Sequence, residues 1–191
     1  MSKTVHIYGG GLAGCEAAWQ AALRGVDVVL YEMKPEKYTP AHHSAALSEL
    51  VCSNSLRSDS VTNAVGLLKC EILRMESLIM EAAEATKVPA GSALAVDRER
   101  FSAYVTEKIN AHPRIRRVTQ EMDHVPDGQL TVIATGPLTS APMADYIAGT
   151  LGCGGLHFFD AAAPIVDATT VNMEIAYYGS RYGKGDADYV N

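Results

Sequence analysis

Residues 5–32 read as a short apolar strand, a glycine turn, a helix, a second strand and a final acid. Gly9, Gly11 and Gly14 have the G-x-G-x-x-G spacing, and they stand between the first strand and the helix, as in dinucleotide-binding turns. The sequence therefore predicts an α/β fold, a doubly wound Rossmann-like FAD/NAD(P)-binding domain with a parallel sheet.

Each residue of the turn has an expected task. Gly9 permits the tight turn, Gly11 lets a pyrophosphate approach the backbone, and Gly14 lets the helix pack close to the strand. The N–H groups at the start of the helix have no carbonyl partner within it, so they attract phosphate. We therefore expect the cofactor-binding residues to be Gly9, Gly10, Gly11, Leu12, Ala13 and Gly14.

Glu32 ends the strand predicted over 27–31, near the position where an acid accepts hydrogen bonds from an adenosine ribose. A carboxylate there favours FAD or NAD and repels the 2′-phosphate of NADP. A second cofactor contact is expected at Thr135 and Gly136, because the strand over 130–134 ends there in small residues that let a nucleotide pass close to the backbone. The alternative is that these two residues only end the strand and begin the following loop, without contact to a cofactor.

The composition limits which other classes of protein and of binding partner are possible. The 191 residues are 48% hydrophobic and 20% charged, as in a globular chain, and the net charge of −6 offers no general attraction to nucleic acid. The four cysteines form no C-x-x-C pair, so we expect reduced thiols, no zinc site and no other metal. No apolar run is long enough to span a membrane and no secretory segment is present, which predicts a cytoplasmic protein without membrane contact.

Farther along, residues 33–63 are predicted to form a polar, functional loop, and residues 64–86 one long amphipathic helix. A buried strand over 93–96 leads to Asp97, which is expected to cap the next helix, and that helix ends before Pro113. The turn at 126–128 joins two half-buried stretches, which predicts a small β-meander. A short helix is expected over 143–151.

Residues 1–150 are expected to form the FAD-binding Rossmann-like domain, in incomplete form. Residues 151–191 are expected to begin a further segment or an inserted domain that is cut short. The tail from Ala176 has no helix stop or cap, so we expect the C-terminal part to be missing.

Several strings much longer than a cofactor fingerprint resemble the folate- and FAD-dependent tRNA uracil-C5 methyltransferases over the whole chain. They also distinguish that family from generic flavoproteins and from the related flavoproteins of the glucose-inhibited-division type. The strings begin at Tyr8, Tyr31, Thr39, Glu49, Asn63, Val88, Val132 and Phe159, and read YGGGLAGCEAAWQ, YEMKP, TPAHH, ELVCSNSLRS, NAVGLLK, VPAGSALAVDR, VIATGPLTS and FDAAAPIV.

The resemblance implies an enzyme that takes the methylene of 5,10-methylenetetrahydrofolate through reduced FAD to C5 of the T-loop uridine in tRNA, with electrons from NAD(P)H. It links Cys52 to catalysis, because a thiolate is suited to add at C6 of uracil and to leave again. Arg57 is then expected to lower the pKa of Cys52 or to hold a phosphate or a folate carboxylate. The alternative for Cys52 is a small buried apolar residue.

Three further features have mainly structural readings. His42 and His43 are expected to be solvated loop residues rather than a ligand or a base. Arg98 is expected to form an ion pair beside the Asp97 cap, and the alternative for these two residues is a contact with cofactor or substrate. Arg114, Arg116 and Arg117 favour a solvated strand edge over a tRNA contact. Two other functions remain open for the chain, an FAD-dependent oxidoreductase of a small molecule and a dinucleotide-binding module without chemistry. The oligomeric state is not predicted.

Overall fold

The structure is a computed structural model that describes residues 4–152, 166–180, 187 and 189–190. Its elements are β1 (Thr4–Tyr8), α1 (Leu12–Leu23), β2 (Asp27–Glu32), β3 (Ser55–Ser58), α2 (Ala64–Arg74), α3 (Leu78–Ala85), β4 (Lys87–Val88), β5 (Ala93–Val96), α4 (Arg98–Ala111), β6 (Ile115–Thr119), β7 (Thr131–Ile133), α5 (Ala141–Leu151), a 3-10 turn (Ala168–Thr170), β8 (Tyr178–Gly179) and β9 (Tyr189–Val190).

A four-stranded parallel sheet organises the fold. Its order is β6-β2-β1-β7, so the four strands lie in the chain order third, second, first and fourth. This is the order 3-2-1-4 of a Rossmann fold, in which the strand order reverses between β1 and β7 although the two strands run parallel. The predicted α/β fold with a parallel, Rossmann-like sheet is confirmed.

Three helices cover one face of the parallel sheet. α1 packs on β1 and β2, α4 packs on β6, and α3 packs on both helices. The alternation along each strand explains this core, because every second side chain points to the same face. The core contains side chains from all these elements, among them Ile7, Leu30, Leu78, Phe101, Val105 and Ile109.

The opposite face of the sheet carries aromatic and polar side chains. His6 and Tyr31 stack with their ring centroids 5.8 Å apart, and the Tyr31 hydroxyl lies 3.1 Å from Nδ1 of His6. Tyr8 is fully buried, and its hydroxyl donates to Oε1 of Gln129, in the segment that connects β6 to β7. This connection therefore lies against the second face.

The predicted β-meander is wrong. β6 and β7 both belong to the parallel sheet, at its two opposite edges, and they do not pair with each other. The reason is that each strand pairs with a strand distant in sequence. β6 pairs with β2, and β7 lies beside β1, where the N–H of His6 donates to Leu130 O and the N–H of Ala134 donates to Tyr8 O. Local alternation of apolar residues cannot report such distant partners.

An antiparallel sheet does exist, but it lies elsewhere in the chain. Its order is β3-β5-β4, so the expected strand over 93–96 is confirmed as β5. β3 lies within residues 33–63, which are therefore not simply a loop. Leu47 and Leu50 from the same stretch are buried in the core.

The single long helix predicted over 64–86 is also wrong. It is two helices, α2 and α3, separated at Glu76, whose backbone has the left-handed φ of 61°. Ser77 begins α3 by accepting a hydrogen bond from the N–H of Met80, and Glu16 of α1 accepts from the Ser77 hydroxyl and from the N–H of Ile79. These capping contacts fix a break where the apolar periodicity continues.

Other local predictions are confirmed. Asp97 caps α4 by accepting from the N–H of Arg100, and α4 ends before Pro113. The expected short helix is α5, which begins two residues earlier than predicted and ends at Gly152 in a left-handed conformation. The strings around residues 153–165, including FDAAAPIV up to Ile165, lie outside the described residues.

Candidate nucleotide-binding site

A cleft opens at the carboxyl edge of the parallel sheet, where β1, β2, β6 and β7 end. It encloses about 680 Å³ not filled by protein atoms, open solvent included. Parallel sheets bind ligands at this edge, beside the point where the strand order reverses. The lining comes from the glycine turn, the end of β2, the loop after it and the residues that follow β6 and β7, and it includes Tyr8, Gly9, Gly10, Gly11, Tyr31, Glu32, Met33, Lys34, Thr39, His42, Glu49, Gln120, Glu121, Met122, Ala134, Thr135, Leu138, Thr139 and Ser140.

The glycine turn is built against the neighbouring backbone. Gly9 has a φ of 102°, and a Cβ there would lie 2.6 Å from Ala134 O. A Cβ on Gly14 would lie 1.8 Å from Gly9 O, so only glycine allows α1 to begin this close to β1. A Cβ on Gly11, in contrast, would meet no atom within 4 Å, which leaves that side of the turn open to a ligand.

Helix α1 begins directly behind this open side. Gly11 is its N-cap and offers no side-chain acceptor, and its first turn contains no acidic residue. The amides at the start of any helix cannot bond to a carbonyl within it, and the helix dipole makes them partly positive. The start of α1 can therefore receive a phosphate.

The carboxylate of Glu32 faces the glycine turn. Its Oε2 accepts from the N–H of Gly10 at 2.8 Å and its Oε1 accepts from the N–H of Lys34 at 3.0 Å. Glu32 is only 8% exposed, yet it lines the cleft. Each carboxylate oxygen can accept a second hydrogen bond, so Glu32 is placed to accept from ribose hydroxyls as well.

A buried ion pair supports the same side of the cleft. Nζ of Lys34 lies 3.3 Å from Oε2 of Glu49 and donates to Ala46 O at 2.7 Å, and the Lys34 side chain is 4% exposed. Burial alone would raise the pKa of Glu49, but the N–H groups of His43 and Ser44 and the Lys34 ammonium together lower it. The pair holds the loop over the turn, where the N–H of Ser48 donates to Gly10 O.

The expectation for the two histidines is half wrong. His43 is exposed, but His42 is partly buried, lines the cleft and has its Nδ1 2.6 Å from Oγ1 of Thr39. Burial lowers the pKa of His42, and the Lys34 ammonium lowers it further. A polar loop sequence does not report that the loop folds back over the glycine turn.

The predicted cofactor contacts fall into two groups. Gly9, Gly10, Gly11, Glu32 and Thr135 line the cleft together. The remaining predicted residues are next to them in the chain but outside the lining: Leu12, Ala13, Gly14 and Gly136.

The loop after β7 is held by two threonines. The hydroxyls of Thr135 and Thr139 lie 2.6 Å apart, and Thr139 donates to Gly136 O. Gly136 has a φ of 71°, which lets the chain turn away after Thr135.

Cys52 lies outside this lining. It is partly buried in the segment that leads to β3, and its carbonyl accepts from Nη2 of Arg98 at 3.4 Å. Arg57 is exposed on β3 with a left-handed φ of 65°. Cys52 thus precedes a strand of the antiparallel sheet, whereas the glycine turn follows β1 of the parallel sheet. By contrast Cys15 is buried beneath the turn, where burial raises the pKa of its thiol to about 12.

The three arginines of the cluster over 114–117 do not form one common surface contact. Arg114 forms an ion pair with Asp27, while Arg117 donates to Lys34 O and Ala45 O and so joins β6 to the cleft loop. Arg116 is exposed on β6. The ion pair expected for Arg98 is not formed within the part of the chain that the structure describes.

Sequence reasoning missed the lining from Gln120, Glu121 and Met122. These residues follow β6, and the carboxyl ends of parallel strands meet at one edge of a sheet. That rule would have found them if 115–119 had been assigned to the parallel sheet. Within the described ranges, no three His, Cys, Asp or Glu side chains are placed to hold a metal ion. None of the described helices has the length and apolar character needed to cross a membrane.

Comparisons with known proteins agree with this arrangement. The family model described as glucose inhibited division protein A matches residues 4–191. The crystal structure of GidA from Aquifex aeolicus has a TM-score of 0.52 over 65% of this chain and 21% of its own, at 18% identity, which shows the fold.

Two curated relatives are much more similar in sequence, and both are named methylenetetrahydrofolate--tRNA-(uracil-5-)-methyltransferase TrmFO. The protein of Citrifermentans bemidjiense is 58% identical over 100% of this chain and 44% of its own length. That of Pelobacter propionicus is 60% identical over 100% of this chain and 42% of its own. The chain thus spans less than half the length of these relatives. Their names confirm the resemblance carried by its motifs. The chain belongs to the family that the model describes as glucose inhibited division protein A, and within it the chain is much more similar to these two relatives than to GidA itself.

Proposed function

We propose that this chain supplies the FAD-binding part of a folate-dependent tRNA methyltransferase that acts on C5 of the T-loop uridine. The observation that carries the proposal is the cleft in which an open glycine turn, the start of α1 and the carboxylate of Glu32 meet. The names of the relatives that share more than half of its residues support the reaction.

The residues of the cleft fit an adenine dinucleotide. The open side of Gly11 and the amides of Leu12 and Ala13 at the start of α1 suit the pyrophosphate. Glu32 suits a free ribose, and its negative charge disfavours a 2′-phosphate. Gly9, Gly10 and Gly14 shape the turn, and Thr135 and Gly136 border the cofactor from β7. This fit favours FAD as the bound group.

When bound, FAD would supply the reductive step and carry the one-carbon unit from 5,10-methylenetetrahydrofolate, with NAD(P)H as the source of electrons. The task left to the protein is to activate uracil, because C5 of uracil is a poor nucleophile until a group adds at C6. We assign that addition to the thiolate of Cys52, which forms a bond from Sγ to C6 and releases it after methylation. The partly buried position of Cys52 leaves it partly accessible.

The remaining assignments follow from the same proposal. Residues 1–150 form the FAD-binding domain, and residues 151–191 belong to a further segment. The substrates are tRNA and folate, the protein acts in the cytoplasm, and neither a metal nor a membrane takes part.

The reaction is tested with the protein as its gene encodes it. Given tRNA that lacks the T-loop methyl group, methylenetetrahydrofolate and NAD(P)H, it should produce 5-methyluridine, measured by mass spectrometry of nucleosides. Flavin reduction by a nicotinamide with no methylated uridine would favour the small-molecule oxidoreductase. Bound flavin without either reaction would favour a non-catalytic module.

The role of Glu32 is tested by Glu32→Gln. The amide group brings an N–H toward the N–H of Gly10 or Lys34, so one hydrogen bond is lost and FAD affinity should fall about 10- to 100-fold. Fluorescence quenching of FAD measures the dissociation constant. Glu36→Gln removes the same charge from an exposed position nearby and should leave the affinity unchanged. If the original protein and both variants bind FAD with equal affinity, Glu32 does not contact the cofactor.

The role of Cys52 is tested separately. Cys52→Ala should reduce methylation more than about 100-fold, because the nucleophile is lost. FAD affinity should remain, since Cys52 lies outside the cleft lining. Cys70→Ala, on α2, is the matched control. Unchanged methylation by the Cys52 variant would refute its assignment and leave the family assignment intact.

A further inference from the structure

We propose that Arg57 and Lys69 together form a contact for a backbone phosphate of the RNA substrate, on the surface beside the Cys52 segment. This inference rests on the proposed function and adds the surface at which tRNA meets the protein. The two residues are called the Arg57–Lys69 pair below.

The two cations come from different elements, which meet at Ser58, the neighbour of Arg57 in the chain. Arg57 lies on β3, and Lys69 reaches back from α2 to donate from Nζ to Ser58 O at 3.0 Å. The left-handed backbone at Arg57 is uncommon for a residue with a side chain, and such conformations often mark functional positions. The pKa of Lys69 is lowered by burial and then by the Arg57 charge, as expected for like charges, and the Asp59 carboxylate only partly offsets this.

One carboxylate, that of Asp59, acts on this pair, because it raises the pKa of Lys69. The nearest acid in the chain, Asp59, forms its ion pair with Lys87 at 2.6 Å. Three other exposed cations in the described ranges do have carboxylate partners, in the pairs Lys37–Glu121, Lys108–Glu81 and Arg114–Asp27. Because the ion pair of Asp59 is with Lys87, Arg57 and Lys69 keep an excess of positive charge, and an anion there would lower the energy.

The position of the pair links it to Cys52. Arg57 follows Cys52 closely in the chain, and the segment between them is fixed to β5, because Asn54 donates from Nδ2 to Val96 O and accepts from the N–H of Val96. Arg98 binds the carbonyl of Cys52 at the start of the same segment. A phosphate held at the pair would therefore have a fixed position relative to the thiol.

RNA fits the pair better than the other anions of the reaction. Small ligands such as folate bind in concave, mostly apolar pockets, whereas Arg57 is exposed and neither residue lines the cleft. The chain carries a net charge of −6, so a polyanion needs a local positive contact in order to approach. Ser58 and Ser60 follow Arg57 closely in the chain, and serine hydroxyls can donate to phosphate oxygens.

The experiment measures RNA affinity as a function of salt. A fluorescent T-arm RNA hairpin is titrated with the protein as its gene encodes it, at several KCl concentrations, by anisotropy. Arg57→Gln and Lys69→Gln should each weaken binding about fivefold at physiological salt and reduce the slope of log K against log salt by about 1. Arg57→Lys keeps the charge and should keep the slope.

Arg114→Gln is the matched control, because Arg114 is exposed but already paired with Asp27, and its slope should equal that of the unchanged protein. If Arg57→Gln and Lys69→Gln bind the RNA with the original affinity and the original salt slope, this inference is wrong and the proposed function is unaffected. The same holds if the two variants raise the KM for the folate and leave the salt slope of RNA binding unchanged. A wild-type protein that neither binds the hairpin nor methylates tRNA would refute the proposed function, and the inference with it.

Discussion

The glycines of the turn differ in what they leave room for. A Cβ at Gly14 would overlap the carbonyl of Gly9, whereas a Cβ at Gly11 would enter open space. At Gly11 the backbone has a φ of −75°, which alanine adopts without strain. Packing of the fold therefore depends on Gly14, and access for a ligand depends on Gly11.

This difference gives a paired prediction. Gly14→Ala should reduce the free energy of unfolding by about 3 kcal/mol, because α1 must move away from β1. Gly11→Ala should leave the free energy of unfolding within about 0.5 kcal/mol of the original, yet weaken FAD binding. Urea denaturation measures the first quantity and flavin fluorescence the second. If Gly11→Ala binds FAD normally, the pyrophosphate does not pass over this residue.

At this scale the sequence predicts the places of Glu32, Gly9, Gly10 and Gly11 at the cleft, because they depend on local spacing. It does not identify Lys34, His42 or Glu49 as parts of the cleft. Their positions depend on how the loop after β2 folds back over the turn, through contacts such as the bond from Ser48 to Gly10. No periodicity in the loop encodes these contacts.

Among the elements, the break between α2 and α3 is the clearest departure from the local pattern. Apolar residues continue at helical spacing across Glu76, but its carbonyl accepts from Nε1 of Trp19 on α1, which ties the break to the neighbouring helix. The carbonyl of Met75 accepts from Gln20 in the same way. Tertiary contacts here outweigh helix propensity.

Glu76→Gly should therefore stabilise the protein by about 0.5–1 kcal/mol, since glycine adopts a positive φ without a Cβ clash. The matched control is Glu84→Gly, an exposed position within α3, which should cost about 1 kcal/mol. Both changes are measured as shifts in the midpoint of thermal unfolding. Destabilisation by Glu76→Gly as large as that of the control would mean that residues 75–77 are helical in solution.

The parallel sheet was predictable from its first βαβ unit, whereas its edges were not. β6 and β7 are short, and both have exposed side chains, including Val132 and Ile133 on β7. Short strands of this kind carry too little alternation to reveal whether their partners are parallel or antiparallel. The turn over 126–128 predicts a hairpin between β6 and β7, but the segment that connects these strands instead crosses the face of the sheet.

For the molecule as a whole, acid stability should depend on the Lys34–Glu49 pair. The pKa of Glu49 lies below its ordinary value of 4.5 in the folded protein. Its contribution is therefore complete above the unfolded-state pKa and is lost as the pH falls through the folded-state pKa. The loss should begin below about pH 4.5.

Glu49→Gln tests this dependence. At pH 7 the variant should be less stable by about 3 kcal/mol, because Lys34 is left buried without its partner. Denaturant unfolding from pH 7 to pH 3 should show the two proteins converging below about pH 4.5, since protonation removes the same charge from the original protein. A difference that stays constant over this range would mean that Glu49 does not titrate with folding.

The strand order also has a consequence for synthesis on the ribosome. β1 and β2 can pair as soon as both have emerged, but the other side of β1 awaits β7, about 120 residues later, or roughly 6 to 24 seconds at usual elongation rates. During that interval the nascent chain presents an unpaired central strand, the kind of edge on which other chains can assemble. Chaperone capture of the growing polypeptide should therefore be strongest before Ile133 leaves the exit tunnel.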